Sequence, residues 1–122
     1  MFDQIKTEDC GEYTLFTLRG QFIGGDETDK LRQLFSDVAD KEDNIAIVDL
    51  AKVTYINSTA LGVLIAAHER FTKRAGRVVL CNISDNIENI FIITKLTLVF
   101  EIYDTVDEAK STVTSAAPEI LM

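Results

Sequence analysis

Apolar positions in this chain alternate between two spacings, every second residue in short runs and every three or four in longer ones. Residues 2–8 and 13–18 are short alternating segments on either side of Asp9-Cys10-Gly11-Glu12, which predicts a β-hairpin. Gly20, Gly24 and Gly25 then mark a turn, and Asp26-Glu27-Thr28 supplies the acidic and hydroxyl residues that suit a helix start. Leu31, Leu34, Phe35 and Val38 make that helix amphipathic, and it ends near the acidic cluster at 40–43, read as a solvated turn. Residues 44–50 include Ile45-Ala46-Ile47-Val48, an apolar run expected of a strand covered on both faces. Residues 60–67 are apolar nearly all round, which at helical length predicts a helix pressed into the core.

The second half continues the alternation. Arg70, Lys73, Arg74 and Arg77 bring positive charge to the end of the central helix, where they compensate its dipole, and Gly76 reads as its stop. Val78-Val79-Leu80-Cys81 is a strand. Ser84-Asp85 opens a helix carrying Ile87, Ile90, Phe91 and Thr94, with Leu96 and Leu98 near its end. Residues 99–103 form a last strand and 105–113 a last helix. The tail 114–122, which holds the only proline, Pro118, is expected to fray. The order β-β-α-β-α-β-α-β-α predicts an α/β fold: a mostly parallel sheet with right-handed crossovers and an antiparallel N-terminal edge.

Composition narrows the function. At 122 residues and 47% hydrophobic, the chain is one domain with a sizeable core, from 1 to 122. Its formal net charge of -8 disfavours a nucleic-acid partner and an anionic membrane, and suits a basic partner surface. No apolar run reaches the roughly 20 residues of a membrane span, so the expected location is the cytoplasm. Cys10 and Cys81 lack C-x-x-C spacing and read as two reduced thiols, with no metal or cofactor implied. His68, the single histidine, falls on the stripe of Leu61, Leu64 and Ile65 and reads as a packing residue with a satisfied ring. It stands ten positions, about 15 Å of helix, from Ser58, so the two cannot form a nucleophile and base, and no enzymatic activity is expected.

The most informative stretch is Asn57-Ser58-Thr59, three oxygen-bearing residues between the third strand and the central helix. Any of the three can cap the helix, and the free N–H groups of its first turn favour an anion there. Gly62, inside the helix, reads as a site of close packing against the sheet.

The segments Ile47-Val48-Asp49-Leu50, Tyr55-Ile56-Asn57-Ser58-Thr59-Ala60-Leu61-Gly62, Val78-Val79-Leu80-Cys81-Asn82-Ile83-Ser84 and Val99-Phe100-Glu101-Ile102-Tyr103-Asp104 together resemble the bacterial anti-sigma factor antagonists, which consist of one STAS domain. The resemblance implies the STAS fold, with about five strands and about four helices. It also implies a partner switch. Ser58 would be the phosphoacceptor of an anti-sigma serine kinase of the GHKL type, and a PP2C-type phosphatase would restore the unmodified form that captures the kinase and frees a sigma factor. The implied partner-binding residues are Asn57, Ser58, Thr59, Ala60, Leu61 and Gly62, with Asp26 in place of acidic residues that the family carries nearer Gln21-Phe22-Ile23. Asn57 and Ala60 stand where the family motif D-S-[ST]-G-[LI]-G has Asp and Gly. Ala60 would put a methyl group where a partner backbone approaches. The other expectation is a constitutive STAS interaction module in a sensory or transport-associated assembly.

Overall fold

The computed structural model describes residues 4–114. Phe2 of the expected first strand, and the tail beyond Thr114 including Pro118, lie outside the described residues. Nine elements follow the expected order: β1 (Ile5–Asp9), β2 (Thr14–Phe22), α1 (Asp26–Ala39), β3 (Ile45–Ile56), α2 (Ser58–Lys73), β4 (Arg77–Cys81), α3 (Asp85–Ile93), β5 (Glu101–Tyr103) and α4 (Val106–Val113). A single 3-10 turn, Leu96–Leu98, joins α3 to β5.

The strands lie side by side in chain order. β1 pairs antiparallel to β2, and β2, β3, β4 and β5 run parallel. When parallel strands advance in one direction, right-handed crossovers put every connecting helix on the same face. The core divides accordingly. Side chains of α1, α2 and α3 pack on Phe16, Leu18, Phe22, Ala46, Val48, Leu50, Val78 and Leu80. On the other face α4 supplies Ala109 and Val113 against Tyr13, Ile47, Val79 and Cys81. Alternate residues of β3 and β4 thus serve opposite faces, as expected for a run covered on both sides.

Two strands run further than the sequence implied. β2 continues past Leu18 to Phe22 and β3 past Leu50 to Ile56, paired through Arg19↔Lys52, Gly20↔Val53, Gln21↔Tyr55 and Phe22↔Ile56. The register shifts between Thr17 and Arg19 and again between Gly20 and Gln21. Such bulges break the two-residue period, so the buried residues of the extension, Leu50, Val53 and Ile56, fall three apart. That spacing hides a strand.

The end of α2 also differs in detail. Ala75, not Gly76, takes the left-handed conformation, with φ 61°. Its N–H donates to the carbonyl of Thr72, and the N–H of Gly76 to that of Phe71, closing the last carbonyls of the helix. Gly76 is needed for another reason. A Cβ there would sit 2.3 Å from the carbonyl oxygen of Asn44 and 2.6 Å from its side chain, and the Asn44 amide itself donates to the carbonyl of Arg74.

The charges near that end separate into two groups. Arg70 and Arg74 both reach Asp40, at 3.2 and 3.4 Å, so the acidic turn after α1 is partly engaged. Arg77 belongs to β4 and forms a forked pair with Glu101 of β5. That pairing holds the Glu101 carboxyl below its usual range and the Arg77 guanidinium above its own.

His68 packs its ring edge-on to Phe100, with centroids 5.3 Å apart. Its Nδ1 is buried without a hydrogen-bond partner, so the expected satisfied ring is corrected to one with a single orphaned nitrogen.

Replacing Gly76 with Ala should lower unfolding free energy by about 2 kcal/mol, because backbone must move to admit the methyl group. Urea denaturation checks this; an unchanged midpoint would show that the Asn44 contact yields freely.

Candidate functional site

The site is assembled where β2 and β3 end together. Phe22 and Ile56 are their last paired residues, and the N–H of Asn57 donates to the carbonyl of Phe22 at 3.0 Å. This bond ties the turn entering α2 to the loop entering α1. Gly24 then passes close to Thr59: a Cβ on Gly24 would lie 3.3 Å from the Thr59 side chain, and its φ of 87° also favours glycine. Asp26, two residues on and exposed, opens α1 beside the same turn.

Of the three candidate caps, Asn57 is the one used. Its Oδ1 accepts from the N–H of Ala60 at 3.0 Å, and its backbone carbonyl accepts from Leu61. Ser58 and Thr59 are the first two helical residues, and both are exposed. The Ser58 hydroxyl makes no hydrogen bond to another described residue. Helical residues this early have N–H groups with no partner inside the helix, so those of Ser58 and Thr59 are available to an outside acceptor. The first turn of α2 carries no acid, in contrast to Asp26, Glu27 and Asp29 at the start of α1. Its positive end is therefore uncompensated, and a phosphate on Ser58 would be favourably placed.

The neighbouring loop is fixed by an internal anion. Glu27 Oε2 accepts from the N–H of Ile23 at 2.8 Å, from the N–H of Gly25 at 3.2 Å and from the Thr28 hydroxyl at 2.7 Å. The Thr28 oxygen accepts in turn from the N–H of Gly24 at 2.9 Å. The Thr28 hydroxyl first, and then the backbone donors against some desolvation, hold the Glu27 carboxyl at about 2 instead of 4.5. Nothing in the sequence beyond an acid near a helix start pointed to this network.

The seven residues expected to meet a partner therefore split. Asp26, Ser58, Thr59 and Gly62 are exposed and Asn57 is half-buried. Ala60 and Leu61, only 2% and 8% exposed, turn into the core, and their expected direct contact with a partner is corrected to a packing role. The Ala60 methyl points inward, away from any docking protein. Gly62 is corrected in the opposite direction: a Cβ there would meet nothing within 4 Å, so it is not a close-packing glycine but a bare spot on the outer face. Ile23 and Tyr55, each about half exposed, are two large side chains at the same end of the sheet that the sequence did not single out.

Other chemistry is limited. Ser58 and His68 lie on one helix, as expected, too far apart to cooperate. Cys10 is exposed, while burial first, and Asp49 second, push the Cys81 thiol up to about 12. Among the described residues no group of His, Cys, Asp and Glu could hold a metal ion, and no helix is long and apolar enough to cross a membrane.

Comparison with known proteins bears on the family and the fold. The model of the STAS domain family matches residues 4–109. The Anti-sigma-B factor antagonist of Listeria monocytogenes is 30% identical over 99 residues, covering 81% of this chain and 85% of its own. Among solved structures, a Thermotoga maritima protein described as an anti-sigma factor antagonist superposes with a TM-score of 0.82 at 20% identity, covering 89% of this chain and 93% of that one. The phosphorylated form of the Bacillus cell fate determinant SpoIIAA gives 0.73 at 19%, covering 90% and 99%. The two solved structures share the fold.

Acid should release the Ile23–Gly25 loop. The Glu27 carboxyl titrates lower folded than unfolded, so its contribution is fully present above about 4.5 and fades as the pH falls towards about 2. The amide resonances of Ile23 and Gly25 should move with that low midpoint in an NMR titration and stop doing so in Glu27→Gln. Replacing Asn57 with Ala should cost about 1 kcal/mol through the lost cap, whereas Asn57→Asp should cost little; equal denaturation midpoints for all three chains would remove the cap from the account.

Proposed function

Because this chain belongs to the STAS domain family, we propose that it acts as an anti-sigma factor antagonist in a cytoplasmic partner switch, with the whole of 1–122 as one domain. Unmodified, it binds an anti-sigma serine kinase of the GHKL type and so frees a sigma factor. The kinase transfers the γ-phosphoryl group of ATP to Ser58 Oγ, ADP and the hydroxyl proton are released, and the complex parts. A PP2C-type phosphatase hydrolyses the ester and restores the binding form.

The observation that carries this reading is the Ser58 hydroxyl: exposed, unbonded among the described residues, and held on the first turn of a rigid helix whose positive end bears no acid. A phosphate there adds roughly -1.5 to -2 of charge. The surrounding loop has no need to rearrange, since its N–H groups at Ile23, Gly24 and Gly25 are already occupied by Glu27 and Thr28. The modification then adds surface charge beside Asp26, making the patch more negative so that it repels an acidic or apolar partner face. Thr59, Gly62 and the half-buried Asn57 complete the contact surface, and the absent side chain of Gly62 lets a partner lie close to the helix.

A constitutive module draws no support from Asn57 and Ala60. Asn57 supplies the same capping oxygen as Asp would, and the Ala60 methyl is buried.

Incubation with the serine kinases of its own genome and ATP should add about 80 Da, one phosphoryl group, at Ser58 alone. Ser58→Ala should keep kinase binding, and Ser58→Asp should weaken it about tenfold, as expected when a charge is placed in a desolvated contact. Mass spectrometry and a binding titration report both. No gain in mass, or label on Ser84 or Thr105, would sink the switch.

A further inference from the structure

A second feature lies further along the exposed side of α2. Between α1 and α2 there is a groove of about 530 Å³, with Phe35, Val63, Ala66 and Ala67 along its floor. The small side chains of Ser36, Ala66 and Ala67 keep it open. Its walls carry Arg32 from α1 and Arg70, Lys73 and Arg74 from α2. Four of the chain's twelve Lys and Arg residues thus surround one groove on a protein of net charge -8, with Glu69 the one acid among its lining residues.

The cations are positioned without being used up. Arg32 spends one nitrogen on Asp29, and Arg70 and Arg74 one each on Asp40, so each of these half-exposed guanidinium groups keeps further N–H donors for an outside acceptor. Among the described residues Lys73 has no carboxylate partner. A floor of small and apolar side chains between cationic walls is complementary to one kind of macromolecule: a helix with an apolar ridge flanked by acids. Ser58, Gly62 and Ala66 follow at four-residue spacing on one helix face, so the groove continues the surface read at Ser58.

We propose that this groove receives an acidic amphipathic segment of a protein partner. Identifying that partner with the kinase rests on the reading given above; the groove assignment itself does not.

The test uses the full chain, labelled with nitrogen-15. It is titrated with a peptide of about four helical turns, roughly 14 residues, that has Leu at helical spacing and Glu elsewhere. A matched peptide with Lys for every Glu, and a short DNA duplex, run alongside. The Glu peptide should shift the amides of Ser36, Ala66, Ala67 and Lys73 and lose affinity with added salt. Arg32→Glu combined with Lys73→Glu should weaken it about tenfold. Ala66→Phe, which fills the floor without touching charge, should do the same, while thermal melts show both variants folded. The proposal is overturned by no shifts, by shifts away from the groove, by equal binding of the Lys peptide, or by DNA binding the same residues as strongly. If the peptide maps to the groove but Ser58 is never phosphorylated, the switch reading alone falls. If Ser58 variants alter kinase binding and groove variants leave both kinase and peptide unaffected, the groove assignment alone falls.

Discussion

The pairing of β2 with β3 as far as Phe22 and Ile56, closed by the bond from Asn57 N–H to the Phe22 carbonyl, is the constraint from which the functional surface follows. Two parallel strands that end at the same level deliver two loops and two helix starts to one place. Had β3 stopped at Leu50, seven residues of loose chain would separate the sheet from Ser58, and the hydroxyl would have no fixed relation to Asp26 or Gly24. As it is, Thr59 lies against Gly24, and each turn limits the conformations of the other.

Most of the architecture could be read from residue pattern, since α1 and α3 keep a helical period of three to four and the covered parts of β3 and β4 are short unbroken apolar runs. The reading lost accuracy wherever that pattern breaks. The bulges in β3 place Leu50, Val53 and Ile56 three apart, a pattern that single-residue alternation cannot identify. Gly62 shows a different limit. A helical glycine has a contact reason or an access reason, and sequence alone does not say which way it faces. Once Ala60 is seen to point inward, the answer follows from geometry, because two residues along a helix is about 200° of rotation and Gly62 must face out. The groove was hidden for a stronger reason: Arg32 and Lys73 stand forty-one positions apart, and only the packing of α1 beside α2 makes them opposite walls. The resemblance to anti-sigma factor antagonists pointed to Ser58, which the structure leaves exposed, and equally to Ala60 and Leu61, which it buries.

Charge is distributed along the α1–α2 pair in the order that helix dipoles favour. Acids gather at the start of α1, and cations at the end of α2, each stabilising the partial charge of its own terminus. Two ends depart from that order: the end of α1, which has no cation in its last turn, and the start of α2, a positive end without a compensating acid. On the proposed switch, a phosphoryl group on Ser58 supplies the missing negative charge, so the modified domain gains local stability while losing a partner. The effect on binding and the effect on folding then have opposite signs, and neither demands a change of backbone.

That rigidity has a consequence for recognition. The Asn57 cap, the Glu27 carboxylate with its three donors and the Asp40 clamp on two arginines are all formed before any partner arrives. Association therefore need not order these segments, a cost that otherwise subtracts from affinity at the rate of about 0.5–1.5 kcal/mol for each immobilised long side chain. A surface set in advance can release its partner through one added charge, because the remaining contacts have no slack with which to accommodate it. The same property makes the small residues informative: on a fixed helix face, Gly62 and Ala66 are openings whose depth is decided by the fold, and what enters them is selected by shape before charge is tested.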